Sequence, residues 1–203
     1  MLYNFAGGSD GAEPEGVLYQ SGTFYGVTHS GGVAKCAGGN SCGTVYAVDA
    51  TSGAERILYK FNGGTDAASP ISSASYVNGI LYGAAYGGAT GNGAIYAVNA
   101  TTGAERVIYS FQGNADGSAP SGALLKHAGA LYGVTRAGGQ FGDGTIFSVN
   151  LKTRAEQVLY SFSGGEDGGR PTDSLIYHDG AFYGTTRCDD AYCDFGSVYK
   201  FTP

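Results

Sequence analysis

One phrase occurs four times in the sequence, and this repetition constrains the fold more than any other feature. Each copy reads Leu or Ile, then Tyr, then any residue, then Phe, and the copies begin at Leu2, Leu58, Ile108 and Leu159. A turn with an aspartate follows each copy, and a proline stands four residues after that aspartate. The aspartates are Asp10, Asp66, Asp116 and Asp167, and the prolines are Pro14, Pro70, Pro120 and Pro171. Regular repetition with a period of about 50 residues indicates an array of similar supersecondary units.

Each repeat contains four short apolar segments. In the third repeat they are residues 123–127, 130–136, 144–150 and 157–162, which are rich in Tyr, Val, Leu and Phe and are separated by turn residues. Such segments are typical of strands, and no window keeps the period of 3.6 that a helix would need. The sequence therefore predicts an all-β protein with four antiparallel strands per repeat and tight turns at Ser21-Gly22, Asn78-Gly79, Ala128-Gly129 and Asp179-Gly180.

Apolar residues fall on both faces of many segments, as in residues 45–48. Strands buried on both faces fit sheets that stack on one another, as the blades of a propeller do. We predict a single four-bladed β-propeller over residues 1–203, with blades at roughly 15–61, 71–111, 121–162 and 172–203. Residues 2–5 match the fourth strand of a repeat, whereas the last repeat ends after its third.

Residues 1–5 are therefore predicted to complete the last blade and to close the ring, which removes exposed sheet edges. We expect a monomer, although the same pairing between two chains would give a closed dimer with eight blades.

Charge and hydropathy exclude two classes of partner. The chain has 17 Asp and Glu against 11 Lys and Arg, a net charge of −6. It has no basic stripe that could neutralise phosphates, so we expect no nucleic-acid partner. Its longest apolar runs, about five residues, are too short for membrane insertion. We predict no signal peptide before residues 2–5, and we interpret the sequence as one that begins after the export signal.

The four cysteines form two close pairs, Cys36 with Cys42 and Cys188 with Cys193. Neither pair has the spacing of a zinc site, and each lies in a loop rich in Gly or Asp. Two local disulfides are the simplest interpretation, and they indicate an oxidising compartment. Four free thiols are the alternative. With disulfides, the protein is expected to be secreted or displayed at the cell surface.

These motifs resemble the GloVer tandem repeat, a repeat of exported bacterial proteins. The resemblance rests on Leu-Tyr-Ser-Phe, Gly-Gly-x-Asp-Gly-x-x-Pro, Leu-Tyr-Gly-x-Thr and Gly-Thr-Val-Tyr, and it extends over nearly the whole chain. It implies export and a propeller-like fold, but no reaction and no catalytic residues. The chain departs from the pattern at Ala67, which replaces a turn glycine, and at residues 188–190, which replace the Gly-Gly region.

Any binding site is predicted at the end of the blades that carries the second-to-third loops and the loops between blades, because these loops vary in length and chemistry. At one position there the residue type varies between repeats: it is His29 in the first, Tyr86 in the second, and Arg136 and Arg187 in the last two. A ligand pocket would produce such divergence, and so would surface drift. Arginines suit anionic ligands and tyrosine suits sugar stacking.

The four repeated aspartates are predicted to be related by a pseudo-fourfold rotation. A ring of carboxylates around a central channel could hold a divalent cation such as Ca²⁺ through Asp10, Asp66, Asp116 and Asp167. The alternative is structural, because an aspartate side chain caps the turn in which it lies.

A catalytic site has little support in the sequence. Gly7-Gly8-Ser9-Asp10-Gly11 fits the expression for a hydrolase nucleophile, but that motif needs a following helix. His29 is the best candidate for a general base or a metal ligand, with Asp189, Asp190 or Asp194 as its partner. We therefore predict a noncatalytic binding or adhesion module for a glycan or another surface component. A metal-dependent hydrolase and a purely structural repeat are the alternatives.

Overall fold

The computed structural model describes residues 1–33, 36, 42–187 and 196–203. Within these residues every regular element is a β-strand, and the fifteen strands form four antiparallel sheets. The chain divides into two compact units, Met1–Ser110 and Phe111–Pro203, which we call unit 1 and unit 2. The prediction of an all-β chain is confirmed for the described residues.

Unit 1 contains two four-stranded sheets whose strands follow chain order. The first sheet contains β1 (Ala12–Gln20), β2 (Thr23–Ser30), β3 (Thr44–Asp49) and β4 (Glu55–Lys60). The second contains β5 (Ala68–Val77), β6 (Ile80–Gly87), β7 (Ala94–Asn99) and β8 (Glu105–Ser110).

Unit 2 repeats this plan with one strand fewer in its second sheet. Its first sheet contains β9 (Ser118–His127), β10 (Ala130–Ala137), β11 (Thr145–Asn150) and β12 (Glu156–Ser161). Its second contains β13 (Ile176–His178), β14 (Ala181–Thr186) and β15 (Ser197–Phe201).

The tight turns between the first two strands of each sheet have the predicted chemistry. Both central residues have positive φ in all four turns, for example 49° at Asn78 and 82° at Gly79. Two residues of positive φ define the type I′ turn, whose twist matches that of the strands it joins. Ala128 also adopts this conformation, with a φ of 44°, although it is neither Asn, Asp nor Gly.

The first strands are longer than predicted and include the repeated prolines. β1 begins at Ala12, before Pro14, and contains a bulge between Glu15 and Val17. Pro14 has no N–H donor, and it is tolerated because β1 lies at the edge of its sheet, where no further strand needs a hydrogen bond on the outer side. β5 has the same form, with its bulge between Ile71 and Ser75.

The glycine of the aromatic-Tyr-Gly motif makes room for an aromatic ring on the neighbouring strand. Gly83 pairs with Tyr96 across β6 and β7, and Tyr96 is completely buried. A Cβ atom at Gly83 would collide with the Tyr96 hydroxyl. Gly26 has the same relation to Tyr46. The motif is therefore a packing element of the core.

A second aromatic contact links the ends of β4 and β12 to the next sheet of the same unit. In unit 1 the Phe61 ring lies edge-on to Tyr96 with 4.8 Å between centroids, and in unit 2 Phe162 meets Tyr199 at 5.1 Å. Phe5 makes the same contact with Tyr46 at 4.8 Å. Residues 2–5 thus contact the first sheet in the way that the ends of fourth strands contact theirs.

The arrangement of sheets is propeller-like, but the structure does not show a closed ring. Residues 2–5 are not part of a strand, and within the described residues β15 forms the edge of a three-stranded sheet. An extended segment becomes a strand only through a ladder of hydrogen bonds, and residues 2–5 make no such ladder within unit 1.

Candidate functional site

The position that varies between repeats lies where the second strand of each sheet ends. His29 is in β2, Tyr86 is in β6 and Arg136 is in β10, each near its last residue. Arg187 directly follows β14. These residues are at the end of their sheets opposite the tight turns, so a common backbone position carries four side chains of three chemical types.

In unit 1 the structure brings two of these predicted residues together. The His29 and Tyr86 rings meet edge to face with 6.2 Å between centroids. His29 Nδ1 is also 3.4 Å from the carbonyl oxygen of Pro70, at the start of the second sheet. Tyr86 keeps 39% of its surface exposed, which leaves part of its ring accessible to a ligand.

Each variable residue faces a second variable residue, which sequence reasoning missed. The register of β1 and β2 pairs Ala12 with Ser30 and Pro14 with Thr28, so Glu13 is opposite His29. The registers of the other sheets, including the isolated bridge between Pro171 and Thr186, place the remaining residues in the same way. The second set is Glu13, Ser69, Ala119 and Arg170.

The backbone of this second set is strained in the same way in every sheet. The φ angles are 56° at Glu13, 53° at Ser69, 50° at Ala119 and 51° at Arg170, although none is a glycine and each precedes a proline. A non-glycine residue at positive φ costs on the order of 1 to 3 kcal/mol, and such residues cluster at functional sites. A sequence signal existed, because the residue before the repeated proline differs in all four repeats.

A cavity of about 700 Å³ borders the first of these cross-strand pairs. Its lining includes residues 7–9, Glu13, His29 and Ser30, all in unit 1. The Ser30 hydroxyl donates to Glu13 Oε2 over 3.0 Å, which orients the carboxylate at the cavity. A carboxylate, an imidazole and hydroxyls around a cavity of this size are suited to binding a small polar ligand.

The four repeated aspartates cap their own turns. In each, Oδ2 accepts a hydrogen bond from the backbone N–H four residues earlier, over 2.8 Å from Ala6 to Asp10 and from Asn62 to Asp66. The distances for Asp116 and Asp167 are 2.7 and 2.9 Å. The N–H of Ala6 is the main cause of the lowered pKa of Asp10. This geometry is that of the structural alternative, the turn cap.

The described residues contain no group of three or more His, Cys, Asp or Glu side chains arranged to hold a metal ion. The predicted divalent cation at a central channel stays a prediction. The predicted partners of His29, Asp189, Asp190 and Asp194, lie outside the described residues, as do Cys188 and Cys193.

Cys36 and Cys42 form the predicted disulfide, with 5.4 Å between their Cα atoms. The bond closes the loop between β2 and β3, directly after the cavity-lining segment. A disulfide in this loop fits an oxidising compartment. In the part of the chain that the structure describes, no helix is long and apolar enough to cross a membrane.

The repeated motifs and the propeller-like sheets agree with a family match. The Gloeobacter/Verrucomicrobia repeat matches residues 32–203. The chain belongs to this repeat family. The resemblance to the GloVer repeat is thus confirmed, and the protein is a β-propeller-type repeat module. No curated protein matches it.

Solved structures of similar fold include designed and natural proteins. The computationally designed Ika4 protein matches with a TM-score of 0.57 at 14% identity, over 95% of this chain and 92% of Ika4. TolB from Acinetobacter baumannii matches with a TM-score of 0.53 at 16% identity, over 90% of this chain and 41% of TolB. An acylaminoacyl peptidase from Pyrococcus horikoshii matches with 0.56 at 10% identity, over 96% of this chain and 31% of the peptidase. These low identities show the fold alone.

Proposed function

We propose that this GloVer repeat protein is a noncatalytic extracellular binding module for a glycan or another surface component. One observation carries the proposal. The turns, caps and aromatic contacts are near-copies from sheet to sheet. The cross-strand pairs at one end of the sheets instead differ in each sheet, and they are Glu13–His29, Ser69–Tyr86, Ala119–Arg136 and Arg170–Arg187. Variable side chains on a rigid, repeated backbone are typical of binding surfaces.

The pair of rings in unit 1 supports a saccharide ligand. Tyr86 is partly exposed, and its ring meets the His29 ring edge to face, so the two rings could form one side of a saccharide site. Stacking of an apolar sugar face on such a ring loses little conformational entropy. Glu13 and Ser30 would accept and donate hydrogen bonds to sugar hydroxyls at the adjoining cavity.

A glycan array probed with the whole protein tests this function. We expect binding to at least one class of saccharide, and Tyr86→Ala should weaken it by about 1 to 3 kcal/mol, as for the loss of a stacking aromatic. Tyr19→Ala is the matched control, because Tyr19 is an exposed tyrosine beside the tight turn at the other end of its sheet. If no saccharide binds, or if both substitutions weaken binding equally, the proposed site is wrong.

We further propose that residues 1–5 of the chain supply the fourth strand of the last sheet and so close the propeller into a ring. In three sheets the third and fourth strands share one register, with pairs such as Thr44–Lys60 and Thr145–Ser161. The same register pairs Ser197 with Asn4. The 80% exposure of Val198 in β15 supports an additional neighbour for this strand.

A cysteine pair tests the closure and its register. Asn4→Cys with Ser197→Cys should form a disulfide within one chain, detected as a cross-linked peptide from monomeric protein. Asn4→Cys with Val198→Cys, one residue out of register, should not, because successive side chains in a strand point to opposite faces. Cross-linked dimers from the first variant would indicate the eight-bladed arrangement, and equal cross-linking of both variants would contradict the register.

A further inference from the structure

A second cavity of unit 1 lies beside the cavity at His29. It has a volume of about 680 Å³ and is bordered by residues 3–7, residues 12–17 and Tyr46. We call it the Tyr46 cavity, and we call the first one the His29 cavity. Gly7, Ala12 and Glu13 line both, so the two cavities adjoin at the start of β1.

The bulge of β1, which borders the Tyr46 cavity, is one residue shorter than the bulges of β5 and β9. Residues 16–17 are opposite Gly26 in the first sheet. In the second sheet three residues, 72–74, are opposite Gly83, and β9 has the same spacing opposite its own glycine of the aromatic-Tyr-Gly motif. The first sheet therefore departs from the repeat at the point where this cavity lies.

In the longer bulge of β9 the last residue fills the space over the motif glycine. Leu124 is buried, and its Cδ2 is 2.9 Å from a Cβ built on Gly133, which also meets the ring of Phe147. Val17, at the end of the shorter bulge, is instead 57% exposed. The first sheet thus lacks a buried side chain at this point, and Val17 and Tyr46 border a cavity there.

Tyr46 brings an unpaired hydroxyl to this cavity. Only 6% of its surface is exposed, and its hydroxyl makes no hydrogen bond to the residues that the structure describes. Burial raises the pKa of Tyr46, so the hydroxyl stays protonated at neutral pH and can donate a hydrogen bond. An unpaired polar group in a buried side chain is unfavourable, so a ligand oxygen that accepts this hydrogen bond would be favoured.

The rest of the lining combines aromatic rings and carboxylates. The Phe5 ring lies edge-on to Tyr46 and to Tyr3, with 4.8 and 5.1 Å between centroids. Glu13 and Glu15 also belong to the lining. An aromatic wall with a few polar groups suits a ligand that has an apolar face and several hydroxyls, as a sugar ring has.

We propose that the Tyr46 cavity is a second saccharide subsite, and that one oligosaccharide occupies both cavities of unit 1 by passing over Glu13. This inference rests on the proposed glycan-binding function and gives the ligand its class, a chain of sugar units. Once one sugar of a chain is bound, the next sugar binds at a high effective concentration, so a chain that reaches both cavities binds more tightly than a single sugar.

Oligosaccharides of graded length test the inference. Binding of the whole protein is measured to cello-, xylo-, manno- and chito-oligosaccharides, from the single sugar to the hexamer. The site variant is Tyr46→Phe, which removes only the hydroxyl. The matched control is Tyr96→Phe, which removes the unpaired hydroxyl of the equivalent, completely buried tyrosine in the second sheet.

Both variants should fold like the parent. Neither hydroxyl has a partner among the described residues, so its removal leaves no donor or acceptor of the fold unpaired. Urea unfolding of the two variants should therefore have midpoints equal to that of the parent or slightly higher. This measurement separates a loss of binding from a loss of folding.

We expect the affinity in at least one series to rise about tenfold or more between the single sugar and the longer chains. Tyr46→Phe should lower the affinity for the longer chains by about fivefold, as for the loss of one hydrogen bond. Tyr96→Phe should leave that affinity unchanged.

Two results would overturn the inference and leave glycan binding intact. Affinity that does not depend on chain length would show that a single sugar accounts for binding. A loss no greater in Tyr46→Phe than in Tyr96→Phe would exclude the Tyr46 cavity from the site. If no saccharide binds, in these series or on the glycan array, the proposed function and the inference fail together.

Discussion

One source of pH-dependent stability is expected in a half-buried carboxyl group of the second sheet of unit 1. Glu105 is the first residue of β8, and its Oε1 atom is buried without a hydrogen-bond partner. Burial, followed by the negative charge of Asp66, raises the pKa of Glu105 to about 7. Asp66 accepts hydrogen bonds from the Tyr59 hydroxyl and the Asn62 N–H, so its carboxylate is fixed beside Glu105.

The sign of the effect follows from proton binding. Because the pKa of Glu105 is higher in the folded protein than in the unfolded chain, the folded state binds the proton more tightly. The contribution to stability is therefore fully present below about pH 4.5, is lost as the pH rises through about 7, and is constant above that. Glu156 in unit 2 should behave alike, since burial and then Asp116 raise its pKa to about 7.

The magnitude can be bounded. A rise from 4.5 to about 7 corresponds to roughly 3 kcal/mol at full effect. Glu105 is only half-buried, so solvent screening should reduce this to about 1 to 1.5 kcal/mol. For a chain of this size that is a change in melting temperature of about 2 to 6 °C.

Thermal unfolding of Glu105→Gln at pH 5 and pH 8 tests the reasoning. Glutamine keeps the shape of protonated glutamate and cannot ionise, so the variant should be more stable than the parent at pH 8 and nearly equal to it at pH 5. Glu15→Gln, which changes an exposed carboxylate, should show no such pH-dependent gain. If Glu105→Gln changes stability equally at both pH values, or lowers it at pH 8, the pKa of Glu105 is not raised in the folded protein.

Three further predictions concern the packing of the sheets, and each is checked by urea unfolding. Gly83→Ala should destabilise by about 1 to 3 kcal/mol because its Cβ meets the buried tyrosine opposite, while Gly8→Ala, in open space, should have little effect. Thr135→Ala should lower the free energy of unfolding by about 1 to 3 kcal/mol, because it removes the 2.8 Å hydrogen bond between the hydroxyls of Thr135 and Thr145. The second sheet of unit 1 has Ala at both equivalent positions, so replacing both threonines by Ala should lower it by less than the sum of the single changes. Arg154→Gly should stabilise by up to about 1 kcal/mol, because Arg154 has a φ of 61° where the first two repeats have glycine, and a loss of stability would contradict this.

Local chemistry that repeats could be predicted from the sequence. Asn78-Gly79 specifies its turn because both residues tolerate positive φ, and the four strand segments of a repeat follow from apolar runs between turns. The disulfide between Cys36 and Cys42 followed from close spacing in a loop. These features are determined by neighbours in the chain, so one repeat contains the information needed.

The second variable set could not be predicted in this way. A residue before proline is expected in extended conformation, because the proline ring disfavours compact backbone there. The positive φ of Glu13 and Arg170 reverses that expectation. It depends on cross-strand pairing, in which the ends of two strands must align around a bulge. The raised pKa of Glu105 likewise depends on burial and on Asp66, which lies in a distant part of the sequence.

Repetition and variation divide this molecule by function. Asp66, one of the residues that repeat, accepts hydrogen bonds from the Tyr59 hydroxyl and from the backbone N–H of Asn62, so its carboxylate serves the fold. Residues that vary are at a backbone position whose strain all four sheets retain. If stability alone determined the residue at this position, glycine would be favoured, because it adopts positive φ without strain. The sequence instead has Glu, Ser, Ala and Arg there. The side chain at this position therefore matters more than relief of the strain, which supports the proposal that recognition takes place at this end of the sheets.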